Sequence, residues 1–209
     1  VGYYALFANT TGTMNVAVGA YAFDANQGGS ANTCIGYNAG TAFTSDGITA
    51  IGKDALESCT TGSNTAVGAN ALAAVTTSAQ NTAVGLDALT ANTGGYNTAV
   101  GSQALIANTS ASGNVAVGYG ALQANTTGDK NTAVGTYTLD TVTTGANNTG
   151  VGYGVLTNST AANNTAVGKW AMNSNTTGTE NCAFGTNALQ VNTTGSHNTA
   201  VGLNALDGN

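Results

Sequence analysis

Apolar and polar positions recur along this chain with a single period. A Val-Gly step, or its Ile-Gly or Phe-Gly equivalent, ends at Gly2, Gly19, Gly36, Gly52, Gly68, Gly85, Gly101, Gly118, Gly135, Gly152, Gly168, Gly185 and Gly202, with every spacing 16 or 17 residues. The unit reads N-T-A-V-G-x-x-A-L-x-x-N-T-T-G-x-(x), and its first Asn is numbered position 1 below. Position 1 is Asn from Asn15 to Asn198, with Ile48 as the exception. Position 4 is Val, or Ile35, Ile51 or Phe184. Position 8 is Ala except at Thr138 and Val155, and position 9 is Leu except at Phe23, Gly40 and Met172. Position 13 is Thr apart from Gln27. Positions 6, 7 and 10 vary and hold most of the charges.

A helical repeat needs two helices per unit and therefore about twice this length, and glycine at every turn would break a helix. Two short segments, T-A-V and A-L-x-x-N-T, alternating with Gly-containing turns, predict a β-solenoid coil instead. The fold expected is all-β, a parallel solenoid or β-roll of about 12–13 coils of 16–17 residues, forming a single repeat domain over residues 1–209. Position 2 is Thr, Val16, Val115 or Cys182, which predicts an inward side chain paired with the Val of position 4. Position 3 is Ala except at Cys34 and Gly150, which predicts a small-residue outer face for close lateral contact. Equivalent residues would stack about 4.8 Å apart. Position 1 would then form an amide ladder and position 13 a hydroxyl column. Each coil offers little apolar bulk, so side-by-side association, with a trimer as the natural form, is expected to supply the remaining burial.

The unit Asn15-Val16-Ala17-Val18-Gly19, and again Asn114-Val115-Ala116-Val117-Gly118, resembles the head repeats of trimeric autotransporter adhesins. The longer form N-T-A-V-G-x-x-A-L-x-x-N-T-T-G is similar to repeats in the shafts of phage tail fibres. That resemblance covers the whole chain. It implies a left-handed β-roll with three chains side by side, displayed on a cell surface, extracellularly or on a virion. The head repeat of the adhesins is shorter than the present one.

Composition narrows the function. There are 3 Lys and Arg against 9 Asp and Glu, a net charge of −6, so little is available to neutralise phosphates and nucleic acid is not an expected partner. No apolar run is long enough for a membrane span, so no membrane insertion is expected. Cys34, Cys59 and Cys182 have no metal-ligand or redox spacing. His197 is the only His and stands in a variable turn. Asp54 and Asp87, both at position 7 and two coils apart, are the one conceivable carboxylate pair, on an open surface. Gly118-Tyr119-Gly120 and Gly152-Tyr153-Gly154 lack the third Gly and the helix of a dinucleotide loop. No catalytic residue, cofactor or metal is therefore assigned, and no enzyme is expected.

Aromatic residues gather after the glycine. Tyr3, Tyr37, Tyr119 and Tyr153 occupy position 6, while Tyr4, Tyr21, Tyr137 and Trp170 occupy position 7. These are the candidate residues for contact with glycans or with neighbouring chains. The leading expectation is a structural fibre of stacked coils, a homotrimer or a head-to-tail filament. Head-to-tail stacking, or continuation into further chain, is expected because the sequence opens and closes within a repeat. An adhesin that binds cell-surface glycans through the aromatic ribbon is the alternative. An ice-binding solenoid is a third reading, weakened by the expectation that the position-2 threonines point inward.

Overall fold

A computed structural model describes residues 1–208 and shows a parallel β-solenoid. Twelve strands of three residues run from β1 (Val16–Val18) to β12 (Thr199–Val201), one at positions 2–4 of each coil. They form one sheet in strict chain order. Every pairing is parallel and residue-for-residue. Between β6 (Thr98–Val100) and β7 (Val115–Val117), for example, Thr98 faces Val115, Ala99 faces Ala116 and Val100 faces Val117.

The second segment is not a strand. From position 6 to position 12 the chain is a run of turns, and positions 7 and 9 take positive φ in coil after coil: Gln103 at 60° and Leu105 at 53°, Tyr137 at 53° and Leu139 at 55°. Its backbone groups still pair between coils, as Leu105 N–H donates to Ala121 O at 3.0 Å and Ala107 N–H to Gln123 O at 3.2 Å. This conformation explains why the inward apolar residue at position 9 is Leu, Phe or Met and never Val or Ile, whereas Val is accepted at neighbouring inward positions such as Val155 and Val142. A β-branched side chain is strongly disfavoured at positive φ. Glycine at position 5 answers a different demand. Gly101 has φ +137°, and a Cβ there would overlap the carbonyl of Gly118 in the next coil.

The strand faces opposite to expectation. Position 3 points inward: Ala50, Ala66, Ala83, Ala99, Ala116 and Ala133 are each fully buried. Positions 2 and 4 point outward, with Val18 42%, Val100 37% and Val134 37% exposed. The reason is volume. The buried Leu of position 9 and Ala of position 8 share the interior with the strand, so the strand lies close and admits only a methyl group. The predicted outward Ala column, and the lateral packing argued from it, are thereby corrected.

Departures from the consensus compensate one another. Gly40 replaces Leu where Cys34 replaces Ala: a Cβ on Gly40 would meet Cys34 Sγ at 2.7 Å and Ile48 Cδ1 at 3.1 Å. Buried Phe43 and Ile48 fill the vacated volume, and Phe43 stacks on Phe23 at 6.2 Å. Further along, Gly150 makes room for Thr138, whose Cγ2 lies 2.7 Å from where a Cβ would stand. Close packing makes such paired changes necessary.

Candidate functional site

Three arrangements could carry function: interior amide columns, an aromatic patch and the outward sheet face. The first is the position-1 ladder. Asn64, Asn81, Asn97, Asn114, Asn131, Asn148, Asn164, Asn181 and Asn198 form an unbroken run. In each link the Oδ1 of one Asn accepts the backbone N–H of the next, at 2.8–3.0 Å. Most of these amides also donate Nδ2–H to a carbonyl of the following coil, as Asn131 does to Gly145 O at 2.8 Å. Buried amides in this state have their polar groups satisfied.

A second amide column went unrecognised in the sequence although its residues belong to the consensus. Asn at position 12 is buried at Asn26, Asn92, Asn108, Asn125, Asn175 and Asn192. Asn108 Nδ2 donates to Asn92 Oδ1 at 2.6 Å, and Asn125 Nδ2 to Asn108 Oδ1 at 3.2 Å. The column is interrupted by buried Phe43, Cys59 and Val75, and again by Val142 and Ser159. The predicted hydroxyl column is present: Thr93, Thr109 and Thr126 each donate Oγ1–H to the carbonyl of the next coil, at 2.6, 3.0 and 3.0 Å.

The eight aromatic candidates do not make one ribbon. Tyr3, Tyr4, Tyr21 and Tyr37 cluster at one end with Phe7, their rings 4.3–6.0 Å apart in mostly edge-on contacts. Tyr119 and Tyr137 pair edge-on at 5.3 Å, and Tyr153 and Trp170 pair at 6.4 Å. Between these patches, positions 6 and 7 carry small, polar and charged residues such as Asp54, Asn70 and Asp87, with Leu86 the one large apolar side chain. In that stretch Asn38 Nδ2 donates to Asp54 Oδ1 at 3.1 Å and Asn70 Nδ2 to Asp87 Oδ1 at 2.8 Å. Asn70 thus separates the two carboxylates, each of which belongs to an amide–carboxylate column.

The second patch is concave. Position 7 reads Tyr137, Gly154, Trp170 in successive coils; a Cβ on Gly154 would lie 2.8 Å from Trp170 Cδ1, so the indole packs over the glycine, and these residues line an open groove of about 380 Å³. Tyr137, Tyr153 and Trp170 give it aromatic walls, while Asp140, Asn158 and Asn173 add polar edges. Asn173 Nδ2 is fixed between Gly154 O at 3.1 Å and Thr157 Oγ1 at 2.6 Å. Lys169 Nζ lies 3.9 Å from the Trp170 ring centre, a cation–π contact that helps hold the indole. Burial pushes the Asp140 carboxyl above the usual carboxylate range.

His197 stands in an exposed turn, its Nδ1 2.9 Å from Glu180 Oε2. Cys34 and Cys59 are buried without disulfide partners. Among the described residues, no three His, Cys, Asp or Glu side chains gather as a metal site would require. No family model, curated protein or solved structure matches the chain.

Proposed function

We infer that this chain is a structural fibre segment displayed outside a cell or on a virion, where it provides reach and resistance to unfolding and proteolysis. The observation that carries this reading is the unbroken amide ladder from Asn64 to Asn198. A solenoid whose coils are tied by backbone pairs, amides and threonine hydroxyls cannot open one coil without stripping both neighbours, so local unfolding is costly. The charge-poor surface, whose turns are hydrogen-bonded from coil to coil, also offers a protease few entry points. Electron microscopy of the purified chain, with proteolysis by a non-specific protease, tests the reading. Rods about 50–60 Å long, from eleven rung spacings, that survive protease for hours are expected. Compact particles cleaved within minutes would refute it.

A second reading, saccharide binding, is favoured by the groove at Tyr153 and Trp170. Open aromatic walls suit the C–H face of a sugar ring, and the Asn173 amide and Asp140 carboxylate suit its hydroxyls. A glycan array run with the native chain and with Tyr137→Ala/Trp170→Ala is the test. Native-only binding supports the reading; no binding, or equal binding by both, removes it.

A further inference from the structure

The sheet turns two columns away from the core. Nine of the twelve position-2 residues are Thr: Thr33, Thr49, Thr65, Thr82, Thr98, Thr132, Thr149, Thr165 and Thr199. Position 4 is Val or Ile in every strand except β11 (Cys182–Phe184), which has Phe184. No charged residue stands in either column. The chain uses its two sets of threonines differently. Most of those at position 13 donate their hydroxyls to carbonyls of the next coil. Among the described residues, none of the nine position-2 hydroxyls makes a hydrogen bond within the chain.

What covers such a face is decided by area and by those hydroxyls. Three residues wide and eleven rungs long, it spans roughly 10 by 53 Å, about 500 Å². A stable protein interface buries about 800 Å² on each side. A second copy seated on this face would satisfy a threonine hydroxyl only where it meets another hydroxyl, and those set against Val methyls would be buried unpaired at a cost. Ordered water has neither defect, because each hydroxyl gains a partner and the Val methyls are caged without being crossed by charge. The array is pre-set, since Thr and Val are stiff at χ1 and the pairing is residue-for-residue throughout.

We propose that the outward Thr/Val face of the sheet binds ice. Its hydroxyls and methyls repeat about 4.8 Å apart along the rod and about 6.6 Å apart along each strand, a regular rectangular array on which a layer of water can order. This goes beyond the fibre reading and does not depend on it. It also removes the objection raised from the sequence, because the position-2 threonines point outward.

The experiment measures thermal hysteresis and ice-crystal shape for the full chain, for Thr98→Lys/Thr132→Lys on the face, and for Thr127→Lys at an exposed position outside both columns. Circular dichroism checks that each variant is folded, and sedimentation gives its oligomeric state. The native chain is expected to be hysteretic with faceted crystals. The face variant should lose at least half of that activity and Thr127→Lys should retain it. Absence of hysteresis in the folded native chain, or equal loss in both variants, overturns the proposal. A native oligomer split into monomers by Thr98→Lys/Thr132→Lys also overturns it and assigns the face to a second copy.

Discussion

Replacing Leu105 by Ile keeps volume and hydrophobicity but places a β-branched side chain at φ 53° in a fully buried site. In an ordinary core, a volume-conserving swap costs less than about 1.5 kcal/mol. Here the backbone already bears the left-handed penalty of about 1–2 kcal/mol for an L-residue, and branching at Cβ adds a clash that unbranched Leu avoids. The backbone cannot relax freely, because Leu105 N–H is held by Ala121 O at 3.0 Å and Asn108 N–H by Leu105 O at 3.1 Å. Leu105→Ile is therefore expected to cost about 2–4 kcal/mol, while Leu105→Met costs under about 1.5 kcal/mol. The mid-range difference is about 2 kcal/mol, so at about 2–4 °C per kcal/mol for a chain of this size the Ile variant should melt roughly 4–8 °C below the Met variant. Thermal unfolding followed by circular dichroism measures the difference. Equal melting temperatures for the two variants would refute the conformational argument.

Asn114→Ala leaves the buried Asn131 N–H without its acceptor at 2.8 Å and removes the Nδ2–H donated to Asn97 Oδ1, so a loss of about 2–4 kcal/mol is expected in urea unfolding. Gly101→Ala would force a methyl onto the Gly118 carbonyl at φ +137° and is expected to cost more than about 3 kcal/mol, or to prevent folding. Burial pushes the Cys34 thiol up to about 12 and the Cys59 thiol up to about 11, against about 8.5 in an unfolded chain. Both folded values lie above the unfolded one. Their contribution is thus complete below about pH 8.5 and is lost as pH rises through the folded values. Stability should fall on the alkaline side of pH 8.5, with a shallower slope in Cys34→Ala.

The repeat, the strand at positions 2–4, the turn glycine and the first amide ladder were all legible because each recurs at one register. The strand's facing was not. Alternation in T-A-V sets a period of two but not which side is the core, and bulk alone favours Val inward. The deciding fact is the thickness of the coil, where Leu105 and Ala104 from the opposite segment already fill the interior beside Ala99. Reading A-L-x-x-N-T as a strand failed for a related reason: hydrophobic pattern carries no φ. A signal did exist, since Val, Ile and Thr are absent from positions 7 and 9 of every coil, as left-handed backbone requires. The groove depends on Gly154 lying between Tyr137 and Trp170 in stacked coils, a relation visible only once the coils are in register.

The native cysteines offer the most direct test of the coil itself, because they sit at positions 3, 12 and 2. Cys34 and Cys59 are fully buried, whereas Cys182 lies on the outward side of β11 and is partly exposed. Thiol titration of the folded chain at pH 8, with mass spectrometry to locate the label, should modify Cys182 alone, and all three should react in denaturant. Labelling of Cys34 in the folded chain with Cys182 protected would contradict the inward alanine column and the fold built on it.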